Sequence, residues 1–117
     1  MSLKVYQYPR CSTCRKALKW LDSKGIDHVA PDITETPPSK QELTAMLGHY
    51  DGELRRLFNT SGQVYRELGI KDKLATMTTA QAIELLAGNG KLIKRPFVLT
   101  AKGGLVGFKQ DEWEAAL

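Results

Sequence analysis

Both cysteines of this 117-residue chain lie in one stretch, YPRCSTCRKA, as Cys11 and Cys14. Thiols at that spacing can form a redox pair, pack as inert side chains, supply half of a zinc site, or close a structural disulfide. Zinc would need two further ligands, and the only histidines, His28 and His49, are much farther apart than the ~3–5 residues usual in a finger. A structural disulfide would close a very small loop and gain little chain entropy. Inert burial stays open, because free cysteine packs as a small hydrophobe. The redox alternative divides the work between the two thiols. Cys11 falls where a strand should hand over to a helix, and unpaired N–H groups with the positive end of the helix dipole stabilise a thiolate there. Arg10 and Arg15 lie close by in sequence. The thiolate is the attacking form, so Cys11 is the expected nucleophile. Cys14, one turn along, is placed to attack a mixed disulfide at Cys11 and release the product.

KRPFVLT is the second informative segment. A proline directly before an apolar strand, in a chain with C-x-x-C after its first strand, suggests the cis-proline that faces the thiols in thioredoxin-like folds. An ordinary strand-leading proline is the alternative. With Pro96 cis, Arg95 is carried to Cys11, where its fixed charge can hold a thiolate or an oxyanion; otherwise it is a solvated surface arginine.

The elements needed to position these groups can be read along the chain. LKVYQY suits a short strand, the spacing of Cys14, Ala17, Leu18 and Leu21 predicts a helix from Ser12 to Lys24, and Gly25 supplies its stop. IDHVAPDI reads as a second strand, so the crossover favours a parallel pair. Ser39 and Glu42 form a candidate capping box ahead of Leu43, Met46 and Leu47. LRRLFNTSGQVYRELG reads as two short helical pieces split at Asn59 to Gly62, and TTAQAIELLAG as a helix with Ile83 and Leu86 inward. Gly88 and Gly90 are read as its stop. FVLT and LVGF form an antiparallel hairpin across AKGG, and QDEWEAAL a closing helix with acids in its first turn. Trp20 and Trp113 are read as core anchors.

The expected architecture is α/β. One domain spans 1–117, with sheet-forming halves at about 1–34 and 91–117 around a helical insertion at about 38–90. Hydrophobic residues at 42% and charged residues at 26% are ordinary for a globular chain, and no apolar run approaches the ~18 residues of a spanning helix. MSLKVYQY has no apolar segment followed by a small-residue cleavage site, so the cytoplasm is the expected compartment. The net charge of +4 comes from 17 Lys and Arg scattered among 13 acids. With no basic run and no RNA-binding aromatic motif, direct nucleic-acid binding is not expected, and a small anion at one local site fits better.

YPRCSTCRKA, VYRELG, KRPFVLT and VGFKQDEW together resemble the arsenate reductase family of the glutaredoxin type, in particular its Spx-like branch, over nearly the whole length. The resemblance implies a thioredoxin-like (glutaredoxin-like) mixed sheet with helices on both faces and an all-helical insertion. It also implies redox or oxyanion-reducing activity centred on Cys11, resolved by Cys14, with Arg95 stabilising negative charge. Of three anion-holding arginine positions, the matching residues here are Asn59, Arg95 and Lys109, while Gln7 stands where reductases carry a histidine. Arg10, Ser12, Thr13 and Pro96 complete the expected anion site. The substrate is expected to be a small oxyanion or a disulfide, with no bound cofactor or metal, and glutathione, glutaredoxin or thioredoxin as the electron donor. The C-x-x-C pair is shared with Spx-type regulators. In those proteins the loop matching YDGEL, with Gly52 at the matching glycine, contacts the alpha subunit of RNA polymerase, which makes that subunit the alternative partner. No membrane association is expected, and the chain is expected to be a monomer.

Overall fold

Alternate residues of three short strands divide the core in two. The computed structural model describes residues 3–100 and 103–117. Its four-stranded sheet has the order β2-β1-β3-β4. β1 (Leu3–Tyr6) pairs in parallel with β2 (His28–Val29) and antiparallel with β3 (Phe97–Leu99), which pairs antiparallel with β4 (Gly104–Val106). The register sets Val5, Val98 and Leu105 side by side, with Tyr6, Phe97 and Val106 in the next row. Because successive strand residues face opposite sides, the first row packs on Ala17 and Leu21 of α1 (Ser12–Ser23) and on Trp113 of α6 (Gln110–Ala116). The second row packs on Leu43 and Met46 of α2 (Lys40–His49) and on Ile83 and Leu86 of α5 (Thr79–Gly88). Helices therefore cover both faces of a mixed sheet, as expected.

Local chemistry explains most element ends. Gly25 has φ 66° just past α1, a left-handed stop that suits glycine. Ser39 and Glu42 cap α2 reciprocally, as the sequence suggests; Thr78 and Gln81 do the same for α5, a box the sequence reading missed. Glu42 also accepts the Tyr6 hydroxyl at 2.7 Å, which ties α2 to β1. The second strand is shorter than IDHVAPDI suggests. Pro31 has no N–H to donate, so the ladder stops at Val29 and resumes only as an isolated Gln7–Asp32 bridge.

The middle segment begins with a 3-10 turn at Leu54–Leu57, followed by α3 (Gln63–Glu67) and then by α4 (Ile70–Lys73), which the sequence pattern did not announce. α5 ends at Gly88, but Gly90 serves a different purpose from the stop expected of it. Gly90 is buried, and a Cβ there would run into the Ile33 carbonyl. The hairpin joins β3 to β4 as expected, though residues 101–102 of its turn lie outside the described residues. Trp113 is fully buried and its Nε1 donates to the Gly107 carbonyl at 3.0 Å, while Trp20 packs edge-on against it, half-buried. Among the described residues, no helix is long and apolar enough to cross a membrane.

Candidate active site

Cys11 occupies the N-cap of α1, directly after the turn that leaves β1, and its Sγ accepts the Cys14 backbone N–H at 3.3 Å. A thiolate at this position does what a serine or aspartate oxygen does at other helix starts. Both thiols are free, Cys11 half-buried and Cys14 fully buried. Burial pushes the Cys11 thiol up, but donation from the Cys14 thiol and backbone N–H, with the Arg95 guanidinium, outweighs it and holds the pKa below that of an ordinary cysteine. Burial pushes the Cys14 thiol up to about 12, and the neighbouring Cys11 adds to the rise. Arg15, near in sequence, turns away and donates to the Pro9 carbonyl at 3.1 Å.

Arg95 arrives from the far end of the chain. Segment 57–59 lies against segment 92–94 through the Phe58–Ile93 bridge, with Lys94 N–H donating to Leu57 O at 2.8 Å and Asn59 N–H to Leu92 O at 2.7 Å. This pairing sets Asn59 beside Arg95. The Arg95–Pro96 bond is cis. The Pro96 carbonyl accepts the Gly107 N–H at 2.9 Å, which brings Phe108 and Lys109 to the same place. The Arg95 guanidinium rests over the Tyr8 ring, 4.7 Å from its centroid.

These segments enclose a cleft of about 630 Å³ that contains Cys11, Thr13, Asn59, Arg95 and Lys109. Arg10 and Ser12 are exposed and stand outside its wall, and Pro96 is buried and does not line it. The sequence reading missed Arg55, Arg56 and Lys94, which do line the cleft. The adjacent arginines of LRRL, just ahead of Asn59, were the available signal. Lys109 pairs with Glu112 at 3.8 Å. No group of His, Cys, Asp and Glu that could hold a metal occurs among the described residues. An accessible, acidified thiol beside a buried basic one, under a fixed cation, can pass an electron pair to an electrophilic sulfur or oxyanion.

The sequence model of the ArsC family matches residues 6–116. The chain belongs to the ArsC family. It is 48% identical over 114 residues to the uncharacterised protein YusI of Bacillus subtilis, with 97% of each chain covered. It is 30% identical over 113 residues to the global transcriptional regulator Spx of Streptococcus pyogenes, covering 97% of this chain and 83% of the regulator. A crystal structure of an ArsC family related protein from Bacteroides fragilis superimposes with a TM-score of 0.93 at 46% identity, covering 100% of this chain and 98% of the other. The family and the thioredoxin-like fold expected from the motifs therefore hold. Within this ArsC chain Asn59, Arg95 and Lys109, the three positions at which the resemblance expects an anion to be held, carry one amide, one guanidinium and one ammonium. Gln7 takes no part at the thiols, because its Nε2 donates to the Ala30 carbonyl at 3.0 Å.

Proposed function

We propose that the protein is a thiol–disulfide oxidoreductase in which Cys11 is the nucleophile and Cys14 the resolving thiol. The observation that carries this reading is the opposed acidity of the pair, Cys11 lowered and open to the cleft, Cys14 buried and raised. The Cys11 thiolate attacks one sulfur of the substrate disulfide, forming a mixed disulfide and expelling one thiolate, which takes a proton from water. Cys14 then loses its proton and attacks Cys11 Sγ, closing the intramolecular disulfide and expelling the second thiolate, which is also protonated. Two electrons pass from the protein dithiol to the substrate, giving one protein disulfide and two small thiols. Arg95 favours the attacking thiolate. Glutathione, glutaredoxin or thioredoxin would restore the dithiol. Arsenate can take the same electron pair and leave as arsenite and water, but one guanidinium grips a tetrahedral oxyanion less well than three.

The test is anaerobic incubation of the reduced protein with hydroxyethyl disulfide or with arsenate, counting the thiols that remain. Loss of both protein thiols with the disulfide, and slower loss with arsenate, is expected; no loss with either overturns the reading. A second reading, a regulator that binds the alpha subunit of RNA polymerase, is supported by the likeness to Spx. It is also supported by the exposed left-handed turn at Asp51 and Gly52 (φ 56° and 79°), in the loop the resemblance assigns to that contact. Capture of the alpha C-terminal domain without disulfide turnover would select it.

A further inference from the structure

The helical middle segment has a hollow of its own, which shares no lining residue with the cleft at the thiols. It is bounded by α4, the turn after it and α5, and its volume of about 560 Å³ lies in the range that takes a drug-sized ligand. α5 turns Ala82, Ile83 and Leu86 into the core and leaves Gln81 and Leu85, one turn apart, on the wall of this hollow. Leu68, Ile70 and Met77 make the rest of the wall apolar. Leu68 is 40% exposed, which is unusual here for so large a hydrophobic side chain.

The polar groups are few and of one kind. Lys73, at the end of α4, is the one charged residue among the described residues that line the hollow. Among the described residues its ammonium has no carboxylate within ion-pair distance and donates no hydrogen bond. The α5 cap orients Gln81: its Oε1 accepts the Thr78 N–H at 2.9 Å, and its Nε2 has no partner among the described residues. Thr76 spends its hydroxyl on the Lys73 carbonyl at 3.2 Å. The side-chain groups left unpaired are therefore donors, one of them a full positive charge, set in an apolar wall. They suit carboxylate oxygens on an apolar body and offer nothing to a cation.

A neighbouring hollow of about 400 Å³ continues from Gln81 and Leu85 to Gly88, where even a Cβ would meet open space. Glu84 lines it and would repel a carboxylate, so the charged head belongs at Lys73 and the apolar tail over Leu85 toward Gly88. From Gln81 to Gly88 the helix rises about 10 Å, the length of an extended chain of about eight carbons.

We infer that this groove binds a small amphiphilic carboxylate, a medium-length alkyl chain with one carboxylate held by Lys73 and Gln81. The site goes beyond the thiol–disulfide reading and does not depend on it.

The experiment follows backbone amide chemical shifts of the reduced full-length protein as octanoate, 1-octanol or octylamine is added below its solubility and micelle limits. Octanoate shifts Lys73, Met77, Gln81 and Leu85 saturably and binds about three- to fivefold more tightly than octanol, the scale of one solvent-facing charge; salt shrinks that margin. Lys73→Met keeps the apolar stem and brings octanoate down to the octanol affinity, whereas Leu68→Ser, at an exposed position, weakens both. Lys71→Gln, a solvated cation on α4, keeps the wild-type margin. Octylamine binding most tightly, an unchanged margin in Lys73→Met, shifts confined to the cleft at Cys11, or no saturable shift at all overturns the inference. So does movement of the same amides on dilution without ligand, since a second copy of the chain then covers the groove.

Discussion

Replacing Arg95 with alanine removes the cation that opposes burial at Cys11 and leaves the Cys14 thiol and N–H to do so alone. A neighbouring opposite charge typically moves a pKa by about 1–3 units, and the solvent-open cleft puts this case at the low end, about one unit upward. At a pH below the Cys11 pKa, one unit lowers the thiolate fraction about tenfold. The exchange rate falls less, because a more basic thiolate is also a better nucleophile; with a Brønsted slope near 0.4–0.5 the net loss is about three- to fourfold. Ultraviolet thiolate absorbance against pH gives the pKa directly. Burial pushes Cys14 up to about 12, so thiolate absorbance gained below the range in which tyrosine ionises, about pH 10, belongs to Cys11. Arg95→Lys should return part of the pKa effect, since it keeps the charge but loses the guanidinium seated over the Tyr8 ring. An unchanged Cys11 pKa in folded Arg95→Ala would falsify the argument and leave the helix N-terminus and Cys14 as the sources of acidity.

The thiols should also differ in reactivity: at neutral pH Cys14 in Cys11→Ser should alkylate at least about tenfold more slowly than Cys11 in Cys14→Ser, and equal rates would remove the assigned roles. Mild oxidation should give a monomer two hydrogens lighter by mass spectrometry, and mainly disulfide-linked dimers would count against an intramolecular pair. Gly90→Ala should lower stability in urea by about 3 kcal/mol through collision with the Ile33 backbone, while Gly88→Ala, whose Cβ meets open space, should be neutral or better; equal melts would refute the close-approach argument. Burial pushes the Glu42 carboxyl up, but the Ser39 N–H, the Tyr6 hydroxyl and Lys4 hold it below its ordinary value. Its stabilising contribution is therefore full above about pH 4.3 and lost as pH falls through the lower folded value, so Glu42→Gln should show a shallower acid loss of stability than wild type.

What could be read from the sequence was what local chemistry decides. Gly25, the Ser39–Glu42 box and the apolar character of FVLT and LVGF each act within a few residues, and the helix stop, the cap and the antiparallel hairpin formed as expected, although the second strand runs Gly104–Val106 and ends before Gly107 (φ 74°) rather than spanning LVGF. β2 fell short because the same local logic, applied to Pro31, cuts its ladder. The cleft is a different matter. Arg55, Arg56 and Lys94 share a wall only because the Phe58–Ile93 bridge joins segments far apart in sequence, and no periodicity in either segment announces that pairing. Arg15 shows the converse, since it follows Cys14 directly yet spends its guanidinium on the Pro9 carbonyl.

On the proposed thiol–disulfide reading, burial and charge also set the order of events at the thiols. Cys14 is sealed from solvent, so it can meet a substrate sulfur only through a disulfide already formed on Cys11. Before that moment the Cys11 side chain takes part in keeping Cys14 protonated, adding to burial, while Arg95 pulls weakly the other way. Forming the mixed disulfide converts Cys11 from an anion to a neutral sulfur. The repulsion at Cys14 then disappears and the Arg95 charge, no longer neutralised by a thiolate, acts on Cys14 instead. The first attack thus lowers the pKa of the second nucleophile, and the resolving thiol becomes reactive only when there is a disulfide for it to resolve.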